Sequence, residues 1–349
     1  MKVKVVVIAL AFLIAFPAFL LAQEEEITDQ ELLSLIKQRD EVKAQMEKAK
    51  ETQDLTKYDE LKPKWEALEA KINQRYELIK NSKKEAKRLL DEGTRFRRDK
   101  KYSQAQASFQ KALSHKEFIG QENIPSIKLM VAFCQEMQKL YPDAAGTYQE
   151  VIDLDPKKPD GYAGKGRCLA NMNKDSEAVN LFKKAIEIDP SDAKNYFFLA
   201  SSYEAISMAA EAEQNHLLAT QKDPQYYKAF YQLGYVRFNN KDYEGAIEAL
   251  KSAVAISSDY YTAFTLLAQV YNTIGNYTGA LDAAESAINI KSTYAQAHFE
   301  KGIALEKTDR YNQAIQAFEK CLNDRNWRDS ANYHINLIKE KYLKEQSQQ

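Results

Sequence analysis

Along the middle of the chain, small and apolar residues return at a fixed interval instead of clustering. Ala144, Ala178, Ala212, Ala246, Ala280 and Ala314 each follow the last by 34 residues. Four residues after them stand Tyr148, Phe182, His216, Leu250, Ala284 and Phe318, and three further on Val151, Ala185, Ala219, Ala253, Ala287 and Cys321. Upstream, Ala132, Gly166, Ala200, Gly234, Ala268 and Gly302 keep the same period, and prolines 156, 190 and 224 close three units, with Ser258 and Ser292 in the equivalent place. Tyr102, Ala105, Phe109 and Ala112 add a seventh unit, offset by a five-residue insertion around IGQEN. Spacings of three and four predict helices that bury one face.

Each unit reads as two helices joined by a tight turn, neither of which buries its apolar stripe alone. Gly or Ala lets paired helices approach closely while the larger side chains fill the space beside them. Proline ends the second helix, because it lacks an N–H and clashes with the preceding turn. The skeleton resembles the tetratricopeptide repeat over residues 86 to 328. That resemblance implies an all-α, right-handed α-solenoid of about seven 34-residue helix–turn–helix repeats with a concave groove. The units fall near 86–119, 125–158, 159–192, 193–226, 227–260, 261–294 and 295–328, within a solenoid spanning 83–328.

Residues 23–82 precede it. Leu32, Leu35, Val42, Met46 and Ala49 make one apolar seam, and Tyr58, Leu61, Trp65, Leu68, Ile72 and Ile79 make a second, interrupted by Arg39 and Arg75. They predict either a helical hairpin or degenerate repeat capping the solenoid, or a self-associating coiled coil. SKKE at 82 to 85 has the form of a capping box, which predicts that the first regular repeat starts there. At the other end, Asp329 is expected to cap a polar last helix within 329–349 that shields the final unit.

The first 22 residues read as a secretory signal: MKVK, an unbroken apolar run, Pro17, and a small residue at Ala22 before QEEE. The alternative is an uncleaved anchor formed by residues 5–22. Either way the repeats are expected to be exported, in the periplasm or cell envelope, or held there by the inner membrane.

A net charge of −1 gives no overall field favouring nucleic acid or a membrane surface. The glycines and lysine of GYAGKGR at 161 to 167 have the wrong spacing for a phosphate loop, and Gly166 is a helix-packing position. Cys134, Cys168 and Cys321 show no metal-like spacing, and Cys134 and Cys168 read as small buried residues. His115, His216, His298 and His334 lie in different units, with no i, i+4 pair for zinc. No catalytic constellation emerges, and neither a cofactor nor a metal is expected.

The resemblance places positions 5 and 9 of each first helix in the groove. They lack the three-unit basic clamp by which one subgroup of the family holds a terminal carboxylate. They offer an aromatic stripe instead: Phe197, Tyr231, Tyr235, Phe238 and Phe299, flanked by Ser201, Thr265 and Gln269. These rings either face the groove or turn inward to fill core. The expected function is a non-enzymatic scaffold or adaptor of the cell envelope that binds a segment of another protein in the groove. The alternative is a structural oligomer that organises an envelope assembly through residues 23–82.

Overall fold

The structure, a computed structural model, describes residues 29–347, so the apolar segment 1–22 lies outside the described residues. Those residues form sixteen α-helices and one short 3-10 helix, with no strand among them. They fall into two compact units, one reaching Met172 and one starting at Asn173.

The first unit begins with α1 (Gln30–Glu51) and α2 (Leu55–Arg98), which pack against each other as a hairpin. Asp29 and Asp54 cap them, accepting from the amides of Leu32 and Lys57. The two arginines that interrupt the apolar seams tie the hairpin together. Arg39 reaches Glu69 at 3.2 Å, and Arg75 reaches Asp29 at 2.8 Å and Glu31 at 2.9 Å. Hydrogen bonding from Arg75 holds the Asp29 carboxyl below its usual value.

The expected helix start at Ser82 is not there. Helix α2 is 44 residues long, passes Pro63 in its third turn and runs on through Ser82, which is buried at 8% exposure. Ile72, Ser82, Ala86 and Leu89 all lie on its buried side, and this packing outweighs the capping-box pattern. The first helix of the first repeat is therefore the last stretch of α2. It pairs with α3 (Tyr102–Leu113), and α4 (Ile124–Met137), α5 (Tyr141–Leu154) and α6 (Pro159–Asn171) follow. The insertion before α4 has a role of its own. It lays Phe118 against the Arg75 guanidinium, 5.4 Å from the ring centroid, and packs Ile119 on the core around Phe109.

The second unit alternates first and second helices: α7 (Asp175–Ile188), α8 (Ala193–Ala205), α9 (Ala209–Lys222), α10 (Tyr227–Asn239), α11 (Tyr243–Ile256), α12 (Tyr261–Thr273), α13 (Tyr277–Ile290), α14 (Ala295–Lys307) and α15 (Tyr311–Glu319). It ends with α16 (Arg328–Ser347), which packs on α15. Asp329 is not its cap: the helix already starts at Arg328, and Asp329 sits in the first turn, where its charge faces the positive end of the helix.

The 34-residue skeleton is the core. Ala105, Phe109 and Ala112, and likewise Ala246, Leu250 and Ala253, are 0% exposed, and the matching residues of the other repeats are equally buried. Gly234 shows why a small residue is needed upstream: a Cβ there would stand 2.7 Å from Leu250 and 3.2 Å from the Ala246 carbonyl. At Gly302 the obstacle is the Phe318 ring, at 2.5 Å.

The turns between paired helices share one geometry. Lys139, Asn173, Ser207, Lys241, Gly275 and Asp309, one in each of the last six repeats, take positive φ between 57° and 80°. In five of these turns the amide after the left-handed residue bonds back five positions, as from Leu140 to Gln135, Met208 to Tyr203 and Asp242 to Arg237. This is the Schellman closure of a helix end, in which glycine is the unstrained occupant. Only Gly275 supplies one among these six turns.

Candidate functional site

The aromatic residues expected in the groove all lie on first helices of the second unit, and they do not behave alike. Phe197 on α8 is half-buried, with ring centroids 5.5 Å from Phe198, 5.5 Å from His216 and 5.2 Å from Tyr226. Beneath it His216 is 0% exposed, with Nε2 2.5 Å from Glu204 Oε1, so this imidazole is a packed core group. Phe299 on α14 repeats the arrangement, 5.4 Å from Phe318, 4.8 Å from Trp327 and 5.6 Å from His334. Phe238 packs on Tyr243 at 6.0 Å. These three rings cover core.

Among the flanking polar groups, Thr265 is 0% exposed and donates its hydroxyl to the Tyr261 carbonyl at 2.8 Å. It has neither surface nor a spare proton for a ligand, which corrects its place beside the stripe. Ser201 spends its hydroxyl in the same way on the Phe197 carbonyl at 3.1 Å, and Gln269 remains half-exposed.

Tyr231 and Tyr235, one turn apart on α10, are what remains. Tyr231 is half-buried against the core, 5.2 Å from Tyr260, and burial pushes its phenol up to about 12. Tyr235 is 41% exposed.

The structure adds rings that positions 5 and 9 do not include. Tyr226, Tyr260 and Tyr294 are the residues immediately before α10, α12 and α14, again 34 apart. Tyr227 stands 5.0 Å from Tyr260, and Tyr261 4.8 Å from Tyr294, both pairs edge to face. Lys291 lies over Tyr261 and Tyr294 at 4.6 Å and 5.3 Å, and its ammonium donates to the Tyr261 hydroxyl at 3.1 Å. The tyrosine period was itself the signal, one position ahead of the helices.

The first unit presents a different arrangement at the same register. Arg167 on α6, at a ninth position, makes bonds of 2.8 and 2.9 Å to the Glu136 carboxylate, which also accepts from the Tyr148 hydroxyl at 2.7 Å. Glu136 is 6% exposed and Tyr148 2%, so this arginine is committed to an internal network. GYAGKGR lies inside α6, where Gly164 meets the Tyr148 ring. In the second unit Glu300 is 5% exposed and accepts from the Asn272 amide at 2.9 Å, and burial raises its carboxyl to about 7.

Burial also pushes the thiols of Cys134, Cys168 and Cys321 up to about 12, far from thiolate reactivity at neutral pH. Among the described residues no group of three or more His, Cys, Asp and Glu is placed to hold a metal ion. No described helix is long and apolar enough to cross a membrane.

Against known proteins, the sequence model of the tetratricopeptide repeat matches residues 90–159 and 135–193. The chain is a tetratricopeptide-repeat protein. Residues 227–339 of its repeat array also match the TT21 fifth ARM repeats domain. The repeat protein is 26% identical over 146 residues to the heat-shock protein cognate co-chaperone sgt12 of Aspergillus fumigatus, covering 40% of this chain and 43% of that one. It is 27% identical over 205 residues to the Hsp70-Hsp90 organizing protein of Triticum aestivum, covering 58% and 32%. The chain thus spans less than half the length of these relatives. A tetratricopeptide repeat protein from Parabacteroides merdae superposes with a TM-score of 0.51 over 73% of this chain and 99% of its own, and at 12% identity that likeness is one of fold.

Proposed function

We propose that this repeat protein is a non-enzymatic adaptor of the cell envelope. It holds an extended segment of a partner protein against the first helices of the second unit, with Tyr231 and Tyr235 as anchors. The observation that carries the reading is Tyr235, which stands 41% exposed on a helix whose opposite side is buried, next to a cluster of half-buried tyrosines. A tyrosine offers large, fairly rigid contact area with a polar tip, which suits a peptide of mixed character. The envelope location is supported by Lys2 and Lys4 ahead of the apolar run 5–22, the layout of exported and membrane-anchored chains.

A photo-crosslinking residue at position 235 of the full chain, in its native cell, is expected to trap a partner. Tyr231→Ala with Tyr235→Ala is expected to weaken capture, because truncating an interface anchor commonly costs about 2 kcal/mol or more. Full capture by a folded double variant would defeat the reading.

A second reading is favoured by the hairpin, where Leu33, Tyr76 and Leu78 are 47%, 53% and 47% exposed. These side chains suit a self-association surface for a structural oligomer. Sedimentation of the full chain as a monomer would exclude it.

A further inference from the structure

We propose that the tyrosines preceding α10, α12 and α14 form a ladder for a proline-rich partner segment in the polyproline II conformation. The proposal rests on the reading that the second unit holds a partner segment, and it names the class of that segment.

Three observations carry it. The first is pitch. Tyr226, Tyr260 and Tyr294 recur once per repeat, and the first helices that follow them, α10, α12 and α14, touch one another directly. Helices in contact lie about 8–10 Å apart. A polyproline II helix makes a turn every three residues at about 3.1 Å each, so it presents the same face every ~9 Å. One turn therefore meets one rung.

The second is shape. The pairs Tyr227–Tyr260, Tyr231–Tyr260 and Tyr261–Tyr294 stand at interplanar angles of 80°, 62° and 72°. Rings set edge to face present no common flat platform, which disfavours stacking of the flat face of a sugar.

The third is hydrogen bonding and charge. The hydroxyls of Tyr226, Tyr227 and Tyr231 have no partner among the described residues and supply donors. A polyproline backbone offers carbonyl acceptors and has no N–H left to satisfy. Charges of both signs lie nearby, with Lys228 over the Tyr227 ring at 5.9 Å. Asp223 accepts from the Gln225 amide, Asp259 from the Ser257 hydroxyl, and Lys291 sits on Tyr261 and Tyr294. With these charges of opposite sign the ladder calls for no single ligand charge, and a pre-extended chain pays little ordering cost on binding.

The test is fluorescence anisotropy of the full chain with labelled oligoprolines of three, six and nine residues, and with a nine-residue Gly–Ser peptide. Affinity is expected to climb with length as successive rungs are reached, and nonaproline to bind about tenfold or more tighter than the Gly–Ser peptide, as for a pre-organised against a flexible chain. Tyr260→Ala is expected to lower nonaproline affinity about tenfold or more. If its far-UV spectrum shows unfolding, Tyr227→Ala, which touches the ladder at its edge, decides instead. Nonaproline binding no tighter than Gly–Ser, or unchanged in the folded variant, overturns the proposal. A partner that still crosslinks at position 235 after that failure leaves the partner-holding reading standing without its polyproline class. Nonaproline bound by the ladder, with no partner trapped in the cell, does the reverse.

Discussion

In the first unit, the charged residue at a ninth position of a first helix turns inward: Arg167 binds Glu136 beneath the surface, and the Tyr148 hydroxyl completes the network. In the second unit the corresponding stretch of first helices carries rings, and Tyr231 and Tyr235 stand at its edge with no ionic partner. Both rest on the same alanine skeleton, buried to 0% at Ala144 and at Ala246 alike. The difference teaches that the skeleton determines where side chains stand, and the positions between its members determine what they do. Around Arg167 those positions serve internal ion pairing, and around Tyr231 they carry an aromatic surface.

The sharpest way to break the comparison is Tyr148→Ala, which removes a core ring and one member of the network together. It is expected to cost about 3–5 kcal/mol in urea unfolding. Tyr148→Phe keeps the ring but strips a hydrogen bond from a buried carboxylate, and is expected to cost about 1–3 kcal/mol. A loss as small as that of an exposed tyrosine would erase the distinction between the units.

In the second unit, Ala246→Leu overpacks a site with no free surface and is expected to cost about 1–3 kcal/mol. Unchanged thermal unfolding would count against the shared skeleton.

Glu300 gives the second unit a buried acid without an ionic partner, in contrast to Glu136. Its folded value of about 7 lies above the ordinary 4.5. Between those values the folded chain keeps a proton that the unfolded chain has lost, so stability falls as pH rises through the window and levels off above it. Glu300→Gln is expected to abolish that slope and to gain roughly 2 kcal/mol at pH 8 while matching the parent near pH 4. Equal stability of parent and variant at both values would show the acid to be well solvated.

The smallest effect distinguishes neither unit, because both use the left-handed turn. Ser207→Gly is expected to gain up to about 1 kcal/mol by relieving the positive φ at that position.

The repeat core was legible because period and burial coincide: a residue that recurs every 34 positions and is small has little to be except a spacer. The turn geometry was harder to read, since Lys139, Ser207 and Asp309 are not residues that announce a positive φ. Ser82 misled because a capping box is a local pattern, whereas helix α2 is sustained by packing along its whole length. Thr265 was assigned to the groove by its position number, but a short side chain on a helix can bond to its own backbone and vanish beneath larger neighbours. Tyr226, Tyr260 and Tyr294 are less legible, because the family's groove positions lie inside the first helices and these residues stand one position before them.

Helix α2 belongs at once to the hairpin and to the first repeat, and Phe118 from the insertion holds it again at Arg75. In a repeat array each module ordinarily opens and closes with its neighbours alone. Here one continuous helix, roughly 66 Å long at 1.5 Å per residue, crosses that seam without a break at Ser82, so fraying at the hairpin draws on the stability of the repeat. Amide protons along α2 should accordingly exchange with solvent as a single cooperative block, with no step in protection at Ser82.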